Sequence, residues 1–225
     1  MGFFDGLRGK TLYFPGCSAK FLVNDIQRRH EQLLTIFGID YVKFPEMEVC
    51  CGKPALDYGY KNDFHALVRK NSELFKNQGI KKIITSASFC SLIFAQHYGE
   101  VEVEHISETI LKNIHKIKKD YEGEQVTFFD ACNPQKLGHL YDTPRKILEA
   151  VGFRLVELEF AKEKSLCCGQ VLKPISPKVS SYMAEAVLDA VPTKKLITMS
   201  PDCYAHFKEN NPKNLKILEL SEVLL

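Results

Sequence analysis

Apolar positions along the chain fall into short runs of β-type pattern separated by longer stretches of helical period, and the whole series occurs twice. TLYFPGC (11–17) and VTFFDAC (126–132) are rich in β-branched and aromatic residues, which predicts a strand opening each half. Ile26, Leu33, Leu34 and Phe37 then share one face at a period of 3.6, as do Ile147, Leu148 and Val151, so a helix follows each opening strand. Gly38 and Gly152, 114 positions apart, stand where a helix C-terminus favours glycine. DYVKF (40–44) and RLVELEF (154–160) predict second strands, and KKIIT (81–85) and KKLITM (194–199) predict third ones. Phe64, Leu67, Val68, Leu74 and Phe75 mark a helix between them in the first half; Tyr182, Met183, Ala186, Val187 and Ala190 mark its counterpart. ISETI (106–110) and LSEVL (220–224) close the halves alike, with Ser107 and Ser221 as expected caps of short terminal helices.

Strands alternating with helices imply right-handed βαβ units. The expected fold is α/β, with two pseudo-symmetric repeats, each a small parallel sheet flanked by helices. Its expected domains are 11–111 and 126–225, joined by the polar linker KNIHKIKKDYEGEQ (112–125), whose charges read as a solvated face.

All eight cysteines obey the duplication. Cys17, the pair Cys50 and Cys51 before Gly52, and Cys90 make one set; Cys132, the pair Cys167 and Cys168 before Gly169, and Cys203 make the other. Cys132 follows Cys17 by 115 positions, Cys168 follows Cys51 by 117, and Cys203 follows Cys90 by 113. Each cysteine comes just after a predicted strand, which places both sets at the carboxyl edges of the sheets, where open α/β folds hold their ligands.

Composition narrows the chemistry by exclusion. With 225 residues, 45% of them hydrophobic, the chain can bury a real core and needs no disulfide framework. A net charge of +2 marks neither nucleic acid nor a membrane surface as partner. No run is long and apolar enough to span a bilayer, and MGFFDGLRGK lacks the core and cleavage site of a secretory signal. The expected location is therefore the cytoplasm, with any membrane link made through a partner. Thiols stay reduced there, and adjacent cysteines do not readily close an unstrained bridge. Four thiolates per set suit a [4Fe-4S] cluster or a closed tetrahedral zinc site, and spacing alone leaves both open.

The tandem pattern of Cys, Cys-Cys-Gly and Cys resembles the cysteine-rich CCG domain family over about residues 11 to 225. The lactate-utilisation type is especially similar: SASFC (86–90) precedes His97-Tyr98, and Asp130-Ala131-Cys132, Pro144-Arg145-Lys146-Ile147-Leu148 and Glu157-Leu158 stand in order in the second half. Where such relatives continue glycine-rich after Cys-Cys-Gly, this chain reads Gln170-Val171-Leu172. The resemblance implies an iron-sulfur cluster of the [4Fe-4S] type in one or both sites, held by Cys17, Cys50, Cys51, Cys90, Cys132, Cys167, Cys168 and Cys203, with zinc in one site as the alternative. Heterodisulfide-reductase relatives end each site in Cys-x-x-Cys. Here the extra cysteine is replaced by Ala87 and Ser200, which argues against a noncubane cluster.

No dinucleotide fingerprint, phosphate loop, Ser-His-Asp set or ferredoxin signature is present. Electrons would therefore be exchanged with other oxidoreductase subunits carrying ferredoxin-type clusters or flavin. The expected function is an iron-sulfur electron-transfer subunit in 2-hydroxy-acid oxidation or heterodisulfide-reductase-like chemistry. A catalytic disulfide reductase subunit and a zinc-stabilised interaction scaffold are the alternatives. Among neighbours of the cysteines, Lys20 and Lys53 read as surface lysines, His97 and His206 as packing or exposed residues, and Asp130 as a turn residue.

Overall fold

The computed structural model describes residues 9–44, 50–99, 101–131 and 140–225. β1 (Lys10–Phe14) leads through α1 (Cys17–Phe21) and α2 (Asn24–Ile36) to Val42, which makes one parallel bridge to Leu12. α3 (Lys53–Asp57) and α4 (Lys61–Gln78) carry the chain to β2 (Ile80–Thr85), and α5 (Ser88–His97) leads on to β3 (Glu102–His105) and α6 (Ile106–Lys112). The second half repeats this route through β4 (Gln125–Phe129), α7 (Asp142–Ala150), β5 (Arg154–Leu155), α8 (Pro177–Asp189), β6 (Lys195–Thr198), α9 (Pro201–Glu209) and β7 (Lys216–Glu219). A 3-10 turn, Leu220–Val223, closes it.

The sheets are parallel, ordered β1-β2-β3 and β5-β4-β6-β7, and Val42 occupies beside β1 the place that β5 takes beside β4. The chain thus moves to one side of the opening strand and then reverses to the other. That reversal creates a crevice at the carboxyl ends of β1 and β2, and again at those of β4 and β6.

The second strands are much shorter than the sequence predicts. Val42 is held by both its backbone groups, donating to Thr11 O at 2.9 Å and accepting from Tyr13 N at 3.0 Å, but Phe44 has already left to stack on Phe75. In 154–160 pairing ends once Val156 N reaches Val126 O at 2.8 Å, because Glu157 is drawn to Arg145. β3 and β7, conversely, form from VEVEH and LKILE, runs too short to stand out by alternation. Their last residues, His105 and Glu219, cap the terminal helices in reciprocal boxes with Glu108 and Glu222, so Ser107 and Ser221 donate to the caps rather than serving as them. On α8 the buried face is Ser180, Ala184, Val187 and Leu188, whereas Tyr182 is 72% exposed.

One apolar cluster runs through both halves: Tyr13, Leu33, Leu34 and Ile110 pack with Phe128, Ile147, Leu148 and Ile197. Segment 112–125 seals it, for Ile114, Ile117 and Tyr121 pack against the cluster and Tyr121 stacks on Phe153 at 3.9 Å. Its charges are solvated, as the sequence suggests, but its apolar residues are structural.

Within this seam His30 of α2 faces Glu219 of β7 at 3.4 Å, both fully buried, and Tyr13 Oη lies 3.3 Å from His30 Nδ1. Burial by itself would raise the Glu219 carboxyl, yet His30 and the Ser221 donors outweigh it and hold the group below its ordinary 4.5. A carboxyl depressed in the fold adds stability that is complete above its unfolded value and fades as pH falls through the lower folded one. Acid titration by circular dichroism should accordingly show a shallower loss below pH 4.5 in Glu219→Gln than in the parent. At pH 7 that variant should be about 1–3 kcal/mol less stable. Identical acid profiles would remove Glu219 from the account.

Candidate functional site

Cys17 opens α1 directly beyond the end of β1. The turn before it needs Gly16, whose φ is +79° and whose added Cβ would lie 2.6 Å from the Ala87 Cβ, so glycine lets the β1 loop close on the β2 loop. Cys90 sits in the first turn of α5, beyond β2, and Cys50 and Cys51 immediately precede α3. These segments bring four thiols together at the first crevice. Cys90 Sγ donates to Cys51 Sγ at 3.2 Å, while Cys50 hydrogen-bonds to Cys17 and to Cys51. Cys51 and Cys90 are buried, Cys50 is half-buried and Cys17 is exposed.

Among the described residues, the second half repeats the contacts of the Cys-Cys-Gly pair and the last cysteine. Cys168 Sγ donates to Cys203 Sγ at 3.1 Å, Cys203 lies in the first turn of α9, and Cys167 hydrogen-bonds to Cys168. Cys132 falls outside the described residues. Gly52 and Gly169 have φ values of +95° and +91°, and each donates its N–H to the outer thiol of its pair, Cys50 or Cys167, at 3.4 Å. A backbone donor aimed at sulfur favours the thiolate.

Those hydrogen bonds set the electrostatics. Thiol donors from Cys17 and Cys51, aided by the Gly52 N–H, hold Cys50 far below the usual thiol range against the opposing effect of burial. Cys17 and Cys51 are pushed up as the donors in these contacts, with burial adding to the effect, and so is Cys168 beside Cys167 and Cys203. Among the described residues, no group of three or more His, Cys, Asp or Glu side chains is arranged to hold a single metal ion. As a donor set, four convergent thiols backed by peptide N–H groups fit an iron-sulfur cluster, which takes the thiolate forms.

Behind the thiols, polar side chains grip the Cys-Cys-Gly backbone. Asn71 of α4 donates to Cys50 O at 2.8 Å and to Tyr98 Oη at 2.9 Å, and Tyr98 donates to Cys51 O at 3.2 Å. Ser180 of α8 donates to Gly169 O at 2.9 Å and meets His206 Nε2 at 3.0 Å. Tyr98 and His206 are thus buried supports. His97 is exposed, with its ring edge-to-face against Phe64 at 4.9 Å.

Asp130 is more than the turn residue its sequence position suggests. It is buried and takes both Arg145 terminal nitrogens, at 2.8 and 2.7 Å, while Arg145 also reaches Glu157 at 2.6 and 2.8 Å. Asp130 further accepts the Lys162 N–H at 2.7 Å, and its backbone carbonyl accepts Ser165 Oγ at 2.6 Å. Three separate sequence motifs therefore form one ion-pair network that holds the approach to Cys167. Nothing in their spacing announces the contact; the charge complementarity of Asp130, Arg145 and Glu157 was the available signal.

Ala87 and Ser200 stand just before α5 and α9 as their N-caps, and Ser200 Oγ caps its helix by accepting the Cys203 N–H at 3.4 Å. Lys53 pairs with Asp57 and lies over Phe89, in keeping with a surface lysine. One contact joins the two sites across the seam: Ser18, next to Cys17, donates to the carboxylate of Asp202, next to Cys203. Among the described residues, no helix is long and apolar enough to cross a membrane.

Comparison with known proteins agrees with this arrangement. The chain is 32% identical, over 73% of its length, to an EtfAB:quinone oxidoreductase of Syntrophomonas wolfei, of which it covers 24%. It is 26% identical over 94% of its length to one of the subunits of the CoM/CoB fumarate reductase of Methanothermobacter marburgensis, covering 45% of that protein. It is also 25% identical to lactate utilization protein A of Halalkalibacterium halodurans, with 96% of each chain covered. The chain thus spans less than half the length of the first two. The cysteine-rich domain CCG matches twice, at residues 11–95 and 126–208, each match enclosing one complete set of four cysteines, and the chain accordingly belongs to the CCG cysteine-rich domain family.

Proposed function

We propose that the chain is an iron-sulfur electron-transfer subunit of a multi-subunit oxidoreductase, serving 2-hydroxy-acid oxidation or heterodisulfide-reductase-like electron transfer. The observation that carries this reading is the convergence of Cys17, Cys50, Cys51 and Cys90 at one strand-end crevice, repeated by Cys167, Cys168 and Cys203 at the other. In this reading, domains 11–111 and 126–225 each hold one site, with Cys132 completing the second. The names of the relatives, an EtfAB:quinone oxidoreductase, a fumarate reductase subunit and a lactate utilization protein, support the oxidoreductase class.

A [4Fe-4S] cluster, when bound, supplies one-electron transfer. The protein's own contribution is to hold the thiolates, to direct the Gly52 and Gly169 N–H groups at sulfur, and to bury Cys51, Cys90, Cys168 and Cys203 while leaving Cys17 at the surface. Cys17 then marks the edge at which a partner with a ferredoxin-type cluster or flavin exchanges electrons. With Ala87 and Ser200 at helix starts, and no fifth thiol beside either site among the described residues, electron relay suits the chain better than disulfide cleavage.

Anaerobic purification followed by iron, sulfide and zinc analysis tests the reading. The expected product is brown, with about four irons per filled site and a paramagnetic signal on reduction. A colourless protein that holds only zinc after cluster reconstitution would refute it and leave the scaffold alternative.

A further inference from the structure

The outer face of α8 is apolar where a surface helix is ordinarily polar. Tyr182 is 72% exposed and Val179 48%, and Ala186, one turn beyond Tyr182, is exposed as well. Helical spacing puts these three on one face, turned away from Ser180, Ala184, Val187 and Leu188, which the core takes. Ile175, just before the helix and 69% exposed, extends the stripe at its N-terminal end.

The fold does not require this stripe. Phe64 of α4 and Ser180 of α8 hold equivalent places against Gly52 and Gly169. Counted from them, α4 carries exposed Asp63, Ala66 and Lys70 where α8 carries Val179, Tyr182 and Ala186. An apolar surface built into one copy of a repeat, and broken by charges in the other, marks a contact face.

Charge indicates what covers it. Lys178 and Glu185 flank Tyr182 on the same edge of the stripe, and neither has a hydrogen-bond or ion-pair partner among the described residues. An anionic surface would meet Lys178 but be repelled by Glu185. A second α8, laid antiparallel about a twofold axis near Tyr182, answers both charges: Lys178 of each copy comes beside Glu185 of the other. On the opposite edge the same operation sets Val179 beside Ala186. A parallel pairing would instead face each charge with the apolar edge.

We infer that α8 is the interface of a homodimer, two copies packing antiparallel through Val179, Tyr182 and Ala186 with reciprocal Lys178–Glu185 ion pairs at the rim. Ser180, on the inner face, holds Gly169, so the interface lies behind the second thiol group.

The stripe is small against the roughly 800 Å² that each partner of a standard interface buries, so the dimer should form at micromolar concentration. Sedimentation of the full chain at about 5 and about 200 µM, anaerobically and with reductant to exclude intermolecular disulfides, should show monomer giving way to dimer. Tyr182→Glu should stay monomeric at the higher concentration, with the circular dichroism of the parent. Lys178→Glu and Glu185→Lys should each weaken the dimer about tenfold, since each sets like charges together twice. The double variant, with the charges exchanged, should dimerise as the parent does. A parent that is monomeric throughout overturns the inference, whether or not it adheres to phosphatidylserine vesicles. So does a Tyr182→Glu variant that still dimerises, or a double variant no stronger than the single ones.

Discussion

Replacing Arg145 by methionine is expected to destabilise the chain by about 3–5 kcal/mol, the usual cost of removing one partner from a buried ion pair. Arg145 and Asp130 are both buried, and the substitution strips the Asp130 carboxylate of two hydrogen bonds, leaving it the Lys162 N–H. Glu157, partly exposed, can turn to water, so most of the loss arises at Asp130. For a chain of this length the melting temperature should fall by roughly 10 °C. Lysine at 145 should rescue little, because an ammonium cannot reproduce the two-pronged contact. Adding Asp130→Asn to Arg145→Met should recover part of the stability, since the uncompensated charge goes with it. Calorimetric scans of the parent, the two single variants and the double variant decide the matter; Arg145→Met melting within a degree or two of the parent would show the network to be idle.

The second large effect is expected at Gly169. An alanine Cβ there would stand 2.6 Å from the Ser180 backbone oxygen and 2.9 Å from the Met183 Cβ, at a φ of +91° that side chains rarely adopt. Strain and overlap together should cost about 2–4 kcal/mol. The same change at Gly52 meets the Phe64 ring at 2.8 Å, and a ring can tilt where a helix backbone cannot, so Gly52→Ala should cost about half as much. Denaturant unfolding of the two variants tests the order. In the proposed iron-sulfur form, Gly169→Ala should also lose iron from its own half first, because Gly169 directs its N–H at Cys167 and joins Cys168 to α8 through Ser180. Equal stabilities, or a more stable Gly169→Ala, would contradict this packing.

Much of the fold could be read in advance because it rests on local pattern. β1, β4, β2 and β6 arise from compact β-branched and aromatic runs, and Gly38 and Gly152 end their helices with the positive φ that their position demanded. The meeting of several thiols was legible for a similar reason: Cys17, Cys90 and Cys203 stand within a few residues of the ends of β1, β2 and β6, so those strands largely locate their sulfurs. What escaped was decided by contacts remote in sequence. His30 meets Glu219 across the molecule, and neither carries a periodic signal that would pair them. On α8, aromatic and aliphatic residues suggested one face, yet packing chose Ser180 and Ala184, small enough for the helix to approach Gly169 closely. The second strands shortened because Phe44 and Glu157 found better partners outside the sheet.

The apolar cluster shared by the two halves leaves the seam no play, since Tyr13, Leu33 and Phe128 would have to part for one half to swing against the other. Ser18 and Asp202 bridge that rigid seam between the residues flanking Cys17 and Cys203. In the proposed iron-sulfur form, a change of oxidation state at one site would then be felt at the other as charge through a fixed medium, a shift in potential without any hinge having to move.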